Sequence, residues 1–176
     1  QKEFGLAGPL LVRAADEPTV ATERVLVLDD VDLDDGGRLR LDADAEDVAL
    51  GRHGDVILVN GVERPGIEVI ADATERWRTV NAANGRYFAL ELAGHTFEVI
   101  GGDGGPSPEV IRTDHLVIAP GERFDVLLSM SAEPGTRVWL RSAAVDRGHM
   151  EMPGFDVMGL RIGGGESQQT VTAEGF

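Results

Sequence analysis

The side chains that could bind a metal ion or transfer electrons are few in this sequence, and they lie far apart. Its 176 residues include no cysteine and four histidines, His53, His95, His115 and His149. Thiolate catalysis, zinc ribbons, iron–sulfur clusters and blue-copper centres each need a cysteine sulfur, so these kinds of site are excluded. No two of the histidines form a His-x-His pair that could chelate one ion from a single strand. We therefore expect no metal site in this chain.

The surroundings of three histidines in the sequence favour structural roles. His95 follows the turn glycine Gly94 and precedes an apolar run, a position where an imidazole commonly hydrogen-bonds the backbone of the turn. His115 stands beside Asp114 at the start of a predicted strand, and His53 lies in a polar loop. We interpret His53 and His115 as ordinary surface or capping residues.

The fourth histidine has methionine neighbours. His149 precedes Met150 and Met152, and Met158 follows a few residues later. Thioether sulfur and imidazole nitrogen both bind soft copper ions, so a copper-handling loop is one reading of this segment. Methionine is also an adaptable packing residue. We favour the reading in which the three methionines pack a loop.

Other forms of catalysis find no support in the sequence. Ser107 stands between two prolines, without the residues of a nucleophile elbow around it. The glycine clusters at residues 101–105 and 163–165 match neither a phosphate-binding loop with its lysine nor a dinucleotide fingerprint. We predict no catalytic residue and no nucleotide site.

The composition is that of an acidic, turn-rich globular protein. There are 31 Asp and Glu residues against 16 Lys and Arg residues, a formal net charge of -15. A surface of this sign repels nucleic-acid phosphates and anionic lipid headgroups. No apolar run approaches the roughly 18 to 20 residues that span a bilayer, and residues 1–5 lack the features of a signal peptide. We predict no nucleic-acid partner and no membrane insertion.

Short runs of β-favouring residues, separated by Gly and Pro, predict an all-β sandwich or barrel. In the clearest run, Trp77 alternates with Arg76 and Arg78, which predicts Trp77 in the core and a solvated opposite face. Trp139 lies in a similar run and is also predicted to be core. The predicted strands are residues 9–13, 24–31, 56–60, 67–70, 75–81, 87–92, 95–100, 115–118, 124–129, 137–142 and 158–162.

The segments between the predicted strands also carry signals. Residues 92–95 and 119–122 have the Gly and Pro chemistry of hairpin or corner turns. The acidic residues 42–47 predict either one helical turn or a solvated loop. Residues 163–169 have the composition of a linker, so we expect the core of the single domain to end near Ile162.

Four segments together resemble one known family. Residues 54–61 form an apolar strand that runs into Asn-Gly, residues 75–83 include R-W-R-T-V-N-A, residues 92–104 include G-H-T-F-E-V-I-G-G-D-G, and residues 116–127 include P-G-E-R-F-D-V-L. In this order they resemble the middle domain of three-domain multicopper oxidases of the laccase-like class. The resemblance implies a cupredoxin-like Greek-key β-sandwich or barrel over residues 16–162, with no copper ligands of its own.

The amino terminus carries a separate likeness. Residues 1–12 resemble the last strand of the family's first domain, which closely follows a His-x-His copper motif. The resemblance therefore implies that residues 1–15 are a remnant of that strand plus a linker, and that residues 163–176 lead to a third domain. The first and third domains of the parent enzyme would be the partners of this chain.

The resemblance also implies what such a parent would do. It would oxidise phenols or metal ions with O2, using copper that the other two domains hold, outside the cell or in the periplasm. This chain would be a scaffold, inactive alone, and Asp55 would line the substrate cleft, since some laccases place a substrate-contacting carboxylate there. An isolated middle domain would expose surfaces meant for its neighbours, so we expect it to self-associate.

A different class of function is compatible with the same strands. A free-standing β-sandwich can be a binding module for a carbohydrate or a protein. The aromatic residues available for stacking on a sugar are Trp77, Trp139 and Tyr87. The flanking sequence separates the alternatives, because only the oxidase requires a His-x-His motif upstream and a His-Cys-His motif downstream.

Overall fold

The protein is a β-sandwich with one short helix in the part of the chain that its structure, a computed structural model, describes. The described residues are 7–13, 17, 20, 22–40, 42–148 and 150–164. The helix is α1 (Ala45–Leu50). The strands are β1 (Thr22–Val31), β2 (Val56–Val59), β3 (Val62–Glu63), β4 (Gly66–Ile70), β5 (Thr74–Asn81), β6 (Phe88–Leu92), β7 (Phe97–Gly102), β8 (Gly105–Thr113), β9 (Leu116–Ile118), β10 (Arg123–Ser129), β11 (Arg137–Ser142), β12 (Val145–Asp146), β13 (Glu151–Met152) and β14 (Phe155–Gly163).

Two sheets form the layers of the sandwich. The large sheet has the strand order β3-β2-β1-β5-β10-β7-β8, and the small sheet has the order β4-β14-β11-β6-β9. Strands β1 and β5 are parallel, as are β14 and β4, whereas the other strand pairs of the two sheets are antiparallel. The predicted all-β fold class is confirmed.

The core lies between the sheets and follows the two-residue period of the strands. Trp77 is fully buried, as predicted from its alternation with Arg76 and Arg78. The other large buried side chains come from strands of both layers and form one shared core. They include Leu28, Phe88, Leu90, Phe97, Ile118, Leu128, Leu140, Met158, Leu160 and Ile162.

The predicted strands are present, with ends moved by a few residues, except at residues 9–13. Among the described residues, that segment pairs with no strand, and Leu10 and Val12 are 89% and 83% exposed. Strand β8 was not predicted. It begins at Gly105, contains two prolines, and lies at the edge of the large sheet with none of its residues buried.

The predicted turns have the expected roles. Residues 92–95 and 119–122 are corners, because each carries the chain from the small sheet to the large one. Asn60 and Gly61 both have positive φ, 53° and 79°, which is the conformation of a tight hairpin turn between β2 and β3. Part of the acidic segment lies in the short helix α1. Among the described residues, no helix is long and apolar enough to cross a membrane.

A buried ion pair of the large sheet is also hydrogen-bonded to the small sheet. The Arg24 guanidinium on β1 donates from Nε and Nη2 to both carboxylate oxygens of Glu75 on β5, at 2.7 and 2.8 Å. Arg24 is 7% exposed and Glu75 is 1% exposed. The same carboxylate accepts the indole N–H of Trp77, and Arg24 Nη2 also donates to the Glu68 carbonyl on β4 of the small sheet. The Arg24 and Glu75 charges in this group therefore compensate each other.

The opposite face of β5 differs from its prediction. Arg76 is only 3% exposed, because Asp125 on β10 accepts its Nε at 2.8 Å and Glu17 accepts its Nη1 at 3.2 Å. Arg78 donates to the same Glu17 carboxylate at 2.7 Å, and its Nε lies 3.3 Å from Glu23. The prediction that this face is solvated is wrong at Arg76, because ion-paired side chains cover this part of the sheet.

Trp139 also departs from its prediction. It is half-buried and belongs to the outer face of the small sheet, whereas its neighbour Leu140 is fully buried. Val138 packs against the core as well. Three consecutive apolar residues leave the alternation ambiguous, and the register of β11 places the indole outside.

We expect Glu75→Gln to lower the free energy of unfolding by about 3–5 kcal/mol, because it leaves the Arg24 charge buried without a counter-charge. Urea denaturation measures the loss. The control is Glu98→Gln, which breaks an exposed pair with Arg112 and should cost about 1 kcal/mol or less. Equal losses for the two variants would contradict the role assigned to Glu75.

Candidate functional site

Two of the histidines occupy the structural positions that the sequence predicted. His95 Nδ1 lies 2.8 Å from the Ala93 carbonyl, so the imidazole closes the corner between β6 and β7. His115 is 55% exposed, and its Nε2 lies 2.8 Å from Glu91 Oε1. Both predictions are confirmed. In the part of the chain that the structure describes, neither imidazole belongs to a group of three side chains that could hold a metal ion.

His53, interpreted as an ordinary surface or capping residue, is partly buried, so it is not a plain surface residue. Its Nε2 is buried without a hydrogen-bond partner. Burial lowers the pKa of His53 below its ordinary value of 6.5, and the positive charge of Arg86 lowers the pKa further. A backbone hydrogen bond at Gly85 and the negative charge of Asp30 oppose this shift. The imidazole is therefore held in its neutral form near neutral pH.

The methionine-containing segment is described in part. Met152 and Met158 are 4% and 0% exposed, and Met150 is half-buried. The packing role predicted for the methionines agrees with this burial. His149 lies outside the described residues, so the alternative of a copper-handling loop stays a hypothesis.

The described donor set does not fit copper. A blue-copper centre needs a cysteine thiolate, and this chain has none. The positive charges of Arg86 and Arg147 near His53 oppose a cation, and only the charge of Asp30 favours one. Within residues 7–13, 17, 20, 22–40, 42–148 and 150–164, no three His, Asp or Glu side chains lie close enough together to hold a metal ion.

Asp55, the predicted substrate-contacting residue, is exposed at the start of β2. Gly54, the residue before Asp55, has no room for a side chain, because a Cβ atom there would lie 2.3 Å from the Val31 backbone carbon. Asp30 accepts the Gly54 N–H at 2.7 Å, and Arg86 donates to the Gly54 carbonyl at 2.7 Å. A preorganised loop therefore presents the Asp55 carboxylate at one end of the sandwich.

Arg86 makes several of the contacts that hold this loop in place. Its Nε donates to Asp30 at 2.7 Å, and its guanidinium carbon lies 5.0 Å from the centre of the Phe155 ring. The Asp30 side chain is only 2% exposed. Sequence reasoning did not find Asp30 or Arg86, since neither residue stands in a motif and their pairing spans 56 positions.

A cleft lies beside this loop, and three aspartates and two arginines are among the residues that line it. Its walls come from the end of β1, the segment after β1 and the loop after β5, and Asp55 is not part of them. Arg52 supports the cleft by donating to the carbonyl oxygens of Arg40 and Asp42, and Arg40 pairs with Asp32 at 3.1 Å. The lining residues are Asp29, Asp30, Val31, Asp32, Leu39, Arg40, Arg52, Ala82 and Asn84.

The lowered pKa of His53 predicts a pH dependence of stability. Below about pH 6.5 the unfolded chain binds a proton at His53 more readily than the folded chain does, so the free energy of unfolding falls as the pH falls. His53→Gln should remove this contribution, which has a slope of at most about 1.4 kcal/mol per pH unit. Urea denaturation between about pH 7.5 and about pH 5.5 compares the two. Parallel stability curves for the native and variant chains would contradict the prediction.

Comparison with known proteins gives a consistent result. The multicopper oxidase family profile matches residues 29–153. The cell division protein FtsP of Xenorhabdus nematophila is 38% identical over 135 residues, which are 72% of this chain and 28% of that protein. The laccase of Bacillus subtilis is 37% identical over 92 residues, 52% of this chain and 18% of the laccase. The chain thus spans less than a third of the length of these relatives.

Solved structures share the fold. The laccase-like multicopper oxidase CueO of Ochrobactrum sp. matches with a TM-score of 0.72 and 27% sequence identity, over 88% of this chain and 34% of that chain. The cupredoxin-like architecture expected from the resemblance is confirmed by this match. The family profile covers most of the chain, and the sandwich of the described residues agrees with it. The chain therefore belongs to the multicopper oxidase family.

Proposed function

We propose that this chain is a copper-free, cupredoxin-like scaffold domain of a larger protein of the multicopper oxidase type. One observation carries the proposal: the chain has the fold of the family over about a third of the length of a family enzyme, yet its described residues do not fit copper. Its task is to hold neighbouring domains at a fixed separation. The rigid loop at Gly54 supports a second task, in which Asp55 forms part of a substrate cleft wall.

The boundaries and location of this domain follow from the same proposal. Residues 16–162 form the domain, residues 1–15 continue from a preceding cupredoxin domain, and residues 163–176 lead toward a third. The parent protein holds copper in the other two domains and works outside the cell or in the periplasm. The absence of cysteine is compatible with that location, since many exported proteins have no disulfide.

The relatives leave two roles for the parent protein. One relative is named a laccase and others are named cell division proteins. In the oxidase role, the parent oxidises phenols or metal ions with O2. In the second role, the same sandwich serves a protein of cell division. Copper loading and phenol oxidation by a full-length protein that contains this chain distinguish the two roles.

We expect the purified 176-residue chain to bind no stoichiometric copper, to have no blue-copper absorption band and to leave phenols unoxidised. The physical reason is the missing thiolate and the scattered histidines. Elemental analysis after copper incubation and dialysis measures this. One tightly bound copper ion per chain would overturn the proposal, and His149 would then be the first residue to test as its ligand.

The role of Asp55 can be measured in a full-length oxidase that contains this chain. Asp55→Asn should lower kcat/KM for a phenol by about tenfold, the effect of losing one charged hydrogen bond. Asp114→Asn is the matched control, because Asp114 is also exposed and lies in the bend between β8 and β9. Identical kcat/KM values for Asp55→Asn and the native enzyme would remove Asp55 from the cleft.

A further inference from the structure

Six charged side chains, three positive and three negative, form one cluster on the outer face of the large sheet. Four of them come from strands β1, β5 and β10, and two come from the chain before β1. We call this group the six-charge cluster. Its members are Glu23, Arg76, Arg78 and Asp125 of the strands, and Arg13 and Glu17 before them.

Glu17 joins the chain before β1 to the sheet. Its Oε2 lies 2.7 Å from Arg78 Nη2, 3.2 Å from Arg76 Nη1 and 3.5 Å from Arg13 Nη1. The Glu17 side chain is 18% exposed, so water screens these contacts less than it screens an open surface pair. A single carboxylate oxygen thus connects this part of the chain to two arginines of β5.

Arg13 makes a second connection to the sheet. Its Nη2 lies 2.6 Å from Glu23 Oε1, and its Nη1 donates to Glu23 Oε2 at 3.2 Å. Such a two-bonded arginine–carboxylate pair is stronger than a single charged hydrogen bond. The bond from Arg13 lowers the pKa of Glu23 below its ordinary value, although partial burial opposes the shift. Glu23 therefore keeps its charge at neutral pH.

The arginines of β5 keep counter-charges of their own when Glu17 is absent. Arg76 Nε donates to Asp125 at 2.8 Å. Arg78 lies 3.3 Å from Glu23 and 3.4 Å from Asp125. An unpaired charge in a buried position is strongly destabilising, and departure of Glu17 leaves neither guanidinium in that condition.

Charge is balanced on each side of the contact. The strands contribute two positive and two negative groups, and the chain before β1 contributes one of each. Separating the two parts therefore leaves no net charge on either one. Both the joined and the separated arrangements are electrostatically satisfied, which is the property that a two-state element needs.

We propose that the six-charge cluster is an ionic latch, in which Arg13 and Glu17 hold the chain before β1 against the large sheet and release it at high ionic strength. The Debye length falls from about 10 Å at 0.1 M salt to about 3 Å at 1 M salt. The closed latch fixes the direction from which the chain enters β1. Its consequence for a preceding domain rests on the scaffold role proposed above, whereas the latch itself does not.

Trypsin cleavage after Arg13 in the 176-residue chain measures the latch, because the Arg13 side chain must leave Glu23 to enter the protease. Glu17→Gln should speed this cleavage by about tenfold at low salt, since three partly shielded ion pairs are lost. Mass spectrometry follows the loss of residues 1–13. Equal cleavage rates for the native chain and Glu17→Gln would overturn the proposal.

Two controls accompany the cleavage measurement. Glu109→Gln makes the same charge change at an exposed carboxylate of β8, and this variant should be cleaved at the native rate. Synthetic peptides of residues 7–23, with and without Glu17→Gln, should be cleaved equally fast, which shows that the sequence preference of trypsin is not the cause.

Urea denaturation separates a latch from a part of the fold. Glu17→Gln should leave the midpoint of unfolding nearly unchanged, because the arginines of β5 keep partners. Asp125→Asn should lower the midpoint clearly, because Arg76 is 3% exposed and loses its partner within the sheet. A loss in Glu17→Gln as large as the loss in Asp125→Asn would overturn the proposal.

Spin labels test the release by salt. The chain has no cysteine, so labels can be attached at Leu10→Cys and Val110→Cys, two positions that are 89% and 51% exposed. The distribution of label distances should be narrow at about 0.05 M salt and broad at about 1 M salt. Adding Glu17→Gln should broaden it at low salt. A distribution that neither salt nor Glu17→Gln changes would overturn the proposal.

Discussion

The Arg24 guanidinium bonds to groups of both layers of the sandwich. It pairs with Glu75 beside it in the large sheet and donates to the Glu68 carbonyl in the small sheet. Burying an ion pair is costly, and the cost is offset here because the carboxylate also accepts the Trp77 N–H and every oxygen is used. The arrangement fixes the parallel register of β1 and β5, and the largest core side chain is anchored to it.

Most of the strands could be predicted because each buries one face, and alternation reports that burial directly. Strand β8 could not, since it buries none of its residues and contains prolines. The sequence also could not predict on which face of β11 Trp139 lies, because Val138, Trp139 and Leu140 are consecutive apolar residues. The lowered pKa of His53 depends in part on the charges of Arg86 and Arg147, which come from distant parts of the chain, so no local sequence pattern could predict it.

The segments that carry the family resemblance have structural roles that explain their residue types. Asn81 is fully buried and donates to the carbonyl oxygens of Arg86 and Ile118, which ties the end of β5 to the small sheet. Asp103 accepts the Arg123 N–H, and Glu122 accepts the Ala119 N–H. These groups satisfy backbone atoms at corners. The motifs therefore identify the fold reliably, while the chemistry of a parent protein depends on residues elsewhere.

The open edge of the large sheet has a consequence for handling the chain in isolation. An edge strand presents unpaired backbone groups and can recruit further strands, which is the usual route to aggregates. In β8, Pro106 and Pro108 have no N–H group, and their rings obstruct an approaching strand. Residues 109–113 lack that protection, and Val110 and Ile111 there are 51% and 59% exposed. Residues 109–113 are therefore the part of β8 at which a further strand could add.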